Sequence, residues 1–276
     1  MSATSKLFRR LLTTTGTLAL TLSMSANLHA EEGSADSPLE QVFQAQVNSY
    51  YSVNGFYNFS ANQGAQKDLT AINDSIEKLD TLISSIENEI DQDNEATAYE
   101  EVSGAWKSYH KVLKQNIKEV EKTGYPDLRL AGDMAVGNIR LNASLSSLYE
   151  VLLATSSVKP DSTRELSRKA ATKLALMMTK YSARTTSTVS QVYADGDSET
   201  EITIDTLAKE FGTQLEELST LVKGNKNALK LLDSAITKWD FIESSYINYN
   251  ENRVNFIVNL YSKKIISDID LAISAI

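Results

Sequence analysis

The side chains that most often do chemistry are scarce in this chain. It holds two histidines, His29 and His110, and no cysteine. Without cysteine there is no disulfide, no thiolate metal site, no c-type haem attachment and no cysteine nucleophile. A b-type haem would need His110 paired with Met134, Met177 or Met178, yet His110 follows Tyr109 near a lysine-rich helix end, the ordinary setting of a solvated histidine. There is no Glu-x2-His pair for a di-iron bundle. A Ser-His-Asp arrangement would have one base and no nucleophile elbow. The carboxylate pairs Glu100-Glu101 and Glu216-Glu217 fall on exposed helix faces. The expectation is a non-enzymatic protein with no cofactor and no metal.

Residues suited to binding are easier to find. The stretch DLRLAGDMAVGNIRLNASLSSLYEVLL carries a heptad seam of Met134, Asn138, Leu141, Leu145, Leu148 and Leu152. Asn138 therefore stands among leucines, where a polar side chain either sets helix register or meets a ligand. Arg140 is turned away from that seam, and Gly132 and Gly137 permit close approach of a helix or a small molecule. The run SYYSVNGFYNF places Tyr50, Tyr51, Phe56, Tyr57 and Phe59 around Gly55 on both sides of one helix, which means wide burial or a pocket wall. Trp106 and Trp239 are the only tryptophans. Asn138, Arg140, Tyr50, Tyr57, Trp106 and Trp239 are the candidate ligand-binding residues. A further aromatic loop end, Tyr246 and Tyr249 before Asn250-Glu251-Asn252, suits recognition or capping.

The elements that must position these residues are helical. The start, MSATSKLFRR followed by LLTTTGTLALTLSM, reads as a signal peptide with cleavage expected after Ala30 and export to the periplasm. No later run is apolar enough for a transmembrane helix. The full chain has 27 Lys and Arg against 36 Asp and Glu, a net charge of −9; removing Lys6, Arg9 and Arg10 takes this to −12. Such a surface repels nucleic acid and anionic lipid. Low Gly and Pro (11 and 3) with long 3.6-residue periodicity predict an all-α fold. After a flexible start at 31–37, helices are predicted at about 38–62, 66–91, 95–122, 127–156, 161–194, 203–223, 226–249 and 253–275. Pro38, Pro126 and Pro160 stand at helix entrances, the last with a Ser162-x2-Glu165 capping box. Around Asn250 the apolar stripe shifts, so a turn or a stutter in one long helix both fit.

A repeat underlies this order. SIEKLDTLISSIEN from Ser75 and QLEELSTLVKGNKN from Gln214 share a skeleton at a spacing of 139, with Ile72, Ile76, Leu79, Leu82 and Ile83 falling on Phe211, Leu215, Leu218, Leu221 and Val222. In each case a helix with a central tryptophan follows, AYEEVSGAWKSY and LLDSAITKWDFI, at a spacing of 133. The expected architecture is two related, mostly antiparallel four-helix bundle units, 38–156 and 160–276.

The order ELSRKAATKLALMMTKYSA, IDTLAKEFGTQLEELSTLVKG and LLDSAITKWDF resembles the PilJ-like periplasmic helical sensor domains of type IV pilus chemotaxis transducers and the related nitrate sensors. The resemblance covers roughly 165–245, and 40–115 through the repeat. It implies a sensory protein in which a small ligand or a partner helix docks between helices and shifts their packing. Two departures matter: Ser167-Arg168-Lys169 only approximates the family's Arg-x2-Ser-x-Arg pattern, and the Ala-Gly opening is echoed at Leu130 to Arg140 on another helix. The family's anion-sensing residues therefore do not carry over. Its transmembrane and signalling parts are absent from the sequence, so a freestanding exported relative is expected, serving as a ligand-binding or sensory accessory of the cell envelope. The alternative is an envelope protein-interaction scaffold.

Overall fold

A computed structural model describes residues 37–157, 159–186, 202–249 and 254–276. The expected signal peptide, the end of the fifth expected helix and the breaks at 195–197 and 250–252 lie outside the described residues. Eight helices are described: α1 (Pro38–Ala61), α2 (Gln66–Glu89), α3 (Ala96–Thr123), α4 (Leu128–Thr155), α5 (Ser162–Thr186), α6 (Ile204–Leu221), α7 (Lys226–Ile247) and α8 (Asn255–Ser274). No strand occurs among the described residues, and the fold is all-α. No described helix is long and apolar enough to cross a membrane. The uncertain stretch near Asn250 separates two helices: α7 ends at Ile247 and α8 opens at Asn255.

Local chemistry accounts for the helix starts. Ser37 caps α1 by accepting from Glu40 N–H at 3.3 Å, with Pro38 next to it. Asp127 does the same for α4, accepting from Leu130 N–H at 2.9 Å. For α5 the cap is Asp161, which accepts from Thr163 N–H at 2.8 Å and Arg164 N–H at 3.0 Å. The expected Ser162–Glu165 box is therefore replaced by an aspartate one residue earlier, which frees Glu165 for longer-range contacts. Gly124 ends α3 in the left-handed conformation at φ 80°, which a side chain would resist.

The helices close two similar rings. In the first, α1 packs on α2, α2 on α3, α3 on α4 and α4 on α1; in the second, α5 to α8 repeat this order. Contacts such as Gly55 to Ile72, Asn116 to Leu130 and Tyr246 to Ser262 show that ring neighbours run antiparallel. The rings meet where α1 packs on α5. There Glu40 meets Arg168, Tyr50 O meets Thr179 and Asn54 meets Ser182, so these two helices run parallel. Helix α1 serves both cores: Val42, Val53, Phe56, Tyr57 and Phe59 enter the first, and Phe43, Val47 and Tyr50 enter the second. That double burial explains its aromatics on both sides.

The repeat is real in three dimensions, but in a different register. The buried positions Ile72, Ile76, Leu79, Ile83, Ile86 and Ile90 coincide with Ile204, Ala208, Phe211, Leu215, Leu218 and Val222, a spacing of 132 rather than 139. An amphipathic stripe matches itself when slid by one heptad, so sequence pattern alone favoured the wrong turn. The tryptophans decide the register. Trp106 Nε1 donates to Asp80 Oδ1 at 2.8 Å, while Trp239 Nε1 lies over Gly212, the residue 132 positions after Asp80. Both indoles thus face the same place on the second helix of their ring, a carboxylate in one and bare backbone in the other.

Each ring also repeats a polar clamp. On α4, Asn138 Nδ2 donates to Ser49 Oγ (2.8 Å) and Asn142 Nδ2 to the same oxygen (3.0 Å). On α8, Asn259 Nδ2 donates to Ser182 Oγ at 3.0 Å, and the Ser182 hydroxyl donates to Asn255 Oδ1 at 2.8 Å. An Asn-x3-Asn pair on the fourth helix therefore grips a serine on the first. Across the seam, Asn54 Nδ2 also reaches Ser182 Oγ at 2.7 Å, and Asn255 Nδ2 reaches Asn58 Oδ1 at 2.6 Å. Ser182→Ala would strip several buried amides of one shared partner, at about 1–3 kcal/mol. Urea denaturation should show a lower midpoint with an unchanged slope.

Candidate functional site

Because α1 and α5 run parallel, their capped starts lie at one end of the seam, and α4 and α8 return to that end with their C-terminal halves. Three helices thereby bring charged groups together, and α4 adds the Tyr149 hydroxyl. Arg168 of α5 is 4% exposed. Its Nη2 and Nε donate to Glu40 Oε2 of α1 at 3.0 and 3.2 Å, and its Nη1 donates to the Tyr149 hydroxyl of α4 at 2.9 Å and to Glu165 Oε1 at 3.2 Å. The Tyr149 hydroxyl donates in turn to Glu165. One planar guanidinium thus ties α1, α4 and α5 together with donors on two sides, a geometry that lysine does not reproduce. Burial works against its charge, but Tyr149 and Glu40 outweigh this and hold the Arg168 pKa above its usual value.

A cleft opens beside this cluster. It is lined by Glu40 and Phe43 of α1, Arg164, Ser167, Arg168 and Ala171 of α5, and Ile269, Asp270 and Ile273 of α8, and is shallow, with a cavity of about 10 Å³, room for about one water. Asp270 stands at the rim and keeps much of its solvent exposure. Partial burial and then the Glu40 charge raise its pKa, while Arg164 and Arg168 oppose the shift. Among the described residues Arg164 forms one ion pair, loose at 3.9 Å, with Asp161, and its charge also acts on Asp270. The Ser167 hydroxyl donates to Arg164 O at 2.7 Å. The arrangement holds charge of both signs over an apolar floor. No group of three metal-ligating side chains occurs among the described residues.

The candidates read from sequence are dispersed. Asn138 is fully buried and engaged by Ser49, the register-setting role. Arg140 is exposed on the outer face of α4. Tyr57 packs in the first core and Tyr50 in the second, where burial pushes the Tyr50 hydroxyl up to about 12. Trp106 and Trp239 are buried in different rings, so the structure does not bring these six around one cavity. Gly137 packs against the Tyr109 backbone, where an added Cβ would sit 3.4 Å from Tyr109 Cα; Gly132 has open space. His110 is half-buried rather than solvated, its ring stacked on Trp106 at 4.6 Å. Burial first and Lys114 second lower its pKa against the pull of Asp80, which favours the neutral imidazole.

Glu40, Tyr149, Glu165 and Asp270 were not among the sequence candidates, and Arg168 stood out only through the family pattern. Comparison of the chain with protein-family models, curated proteins and solved structures returned no match.

Arg168→Met should lose about 3–5 kcal/mol of stability, since Glu40 and Glu165 would lose the cation they share; Arg168→Lys should fall between it and the parent in urea denaturation. Asp270 behaves in the opposite sense. Its folded-state pKa lies above the usual 3.8, so folding is favoured while it is protonated and loses that contribution as pH rises through the shifted value. Asp270→Asn should melt higher than the parent at pH 7, with the difference closing below about pH 4 in paired thermal melts.

Proposed function

We propose that this chain is a non-enzymatic, exported binding protein of the cell envelope with a sensory or accessory role, and that its ligand docks over the shallow charged cleft at the end of the α1–α5 seam. The observation that carries this reading is the position of the cleft. A molecule held there touches α1 of the first ring and α5 and α8 of the second at once. Binding at such a junction changes how two packed units sit on each other, which is how bundles convert occupancy into a shift in packing. The likeness of α5 to α7 to PilJ-like sensor domains agrees with this role, and Ser167 and Arg168 of α5 line the cleft.

A second reading, an interaction scaffold, rests on apolar side chains left in solvent. Phe241 is 62% and Phe256 69% exposed, and Phe241 packs on Tyr261 at 5.1 Å between ring centres. Single exposed apolar residues are ordinary, but aromatic ones side by side on α7 and α8 suit a protein contact.

Thermal-shift screening against small anions, amines and amino acids separates the two. Under the binding reading, one class raises the melting temperature in a saturable way, by about 5–10 °C at a hundredfold excess over Kd, and Arg164→Gln abolishes the shift. Silence across the panel, with an envelope protein co-purifying through Phe241 and Phe256, would replace it with the scaffold.

A further inference from the structure

Helix α3 carries a charge pattern that the fold does not use. Lys107, Lys111, Lys114, Lys118 and Lys122 follow one another at steps of four, three, four and four. At about 100° per residue these side chains fall within about 80° of the helix circumference, in a stripe about 22 Å long. All five are exposed, on the side of α3 opposite Tyr109, Leu113 and Val120, which enter the first core. None of them forms an ion pair among the described residues. Residues 102–118 hold no aspartate or glutamate, in a chain whose net charge is −9. Asp80 of α2 is engaged by the Trp106 indole, and the neighbour on which Lys114 acts, His110, offers no counter-charge. Because α3 stands across its ring from α1, the helix that meets α5, the stripe is separate from the cleft. It ends at the α3–α4 turn, where Tyr125 and Leu128 are exposed.

We propose that this stripe docks an acidic helix of a partner protein. A helix laid alongside presents one side chain per turn, about 5.4 Å apart, so carboxylates at the same three- and four-residue steps meet the lysines in succession. An anionic bilayer fits less well, because its charge covers a plane while the basic stripe is narrow. Acids stand on both flanks, Asp80 and Glu87 of α2 on one side and Glu101 and Glu119 of α3 on the other, and a plane of lipid headgroups would press against them. Nucleic acid is recognised through stacking aromatics and guanidinium groups beside the charge. This stripe offers ammonium groups alone, and the neighbouring Trp106 and Tyr109 are buried. In such a contact the lysines set the orientation and speed of encounter. Tyr125 and Leu128 at the end of the stripe supply the apolar area that holds the complex.

The test is fluorescence anisotropy of the purified protein at low salt with two labelled, alanine-rich helical peptides of one composition. One carries glutamates in a stripe that matches the lysine steps; in the other the same glutamates are scattered round the helix. The striped peptide should bind about tenfold more tightly, and its complex should weaken as salt is raised. Lys111→Gln, Lys114→Gln and Lys118→Gln together should erase the preference. The same change at Lys223, Lys226 and Lys230, exposed lysines near the start of α7, should leave it intact. The comparison of the two peptides on the parent protein does not depend on how the variants fold. Equal affinity for the two peptides, binding of neither, or a preference that survives the changes in α3 overturns the proposal. So does tighter binding of heparin or of phosphatidylglycerol vesicles than of the striped peptide, lost in the same α3 variant, which would assign the stripe to an anionic polymer or a lipid surface.

Discussion

Two serine hydroxyls hold the architecture in register. Ser49 and Ser182 each sit on the first helix of a ring and are gripped by an Asn-x3-Asn pair on the fourth. Apolar packing would tolerate several slides of one helix along another, because leucine and isoleucine stripes look alike every two turns. A buried amide left without its partner does not tolerate a slide. The clamps therefore choose one alignment of α1 with α4 and of α5 with α8. Through Asn54 and Asn255 the second clamp also chooses the alignment of the two rings. The charged end of the seam depends on that choice, since Glu40 and Arg168 meet only when α1 and α5 stand level.

The two ends of the seam have different chemistry. Around Ser182 the described contacts are amides and hydroxyls, with Asn54 and Ser182 themselves fully buried. Around Arg168 they are ionic and lie beside open solvent. Neutral amide contacts are insensitive to pH and salt, whereas the ionic end responds to both. Stability is thus concentrated at one end and responsiveness at the other.

Much of this was legible from short range. Ser37-Pro38, Pro126-Asp127 and Pro160-Asp161 mark helix entrances through contacts within four residues, and the helices begin there. Asn138 among leucines announced a register-setting polar contact, though its partner, 89 residues earlier, was invisible. The repeat was legible as a pattern and misread by one heptad, because only the tryptophan partners, Asp80 and Gly212, break the degeneracy. The charged cleft was the least legible part. Its members span Glu40 to Asp270, and nothing local says that α1 and α5 run parallel or that Asp270 of α8 returns beside them.

The sharing of α1 between two cores has a consequence for how the chain is made. Phe43, Val47 and Tyr50 are buried by α5 and its companions, more than a hundred residues downstream. Until those helices have been synthesised, the first ring carries an aromatic face with no cover, on the surface where the second ring will build. The second half is then assembled on a template already in place, and the last helix to arrive, α8, locks both rings through Asn255. A chain cut before α8 would leave that template open, a sticky intermediate of the kind that chaperones shield.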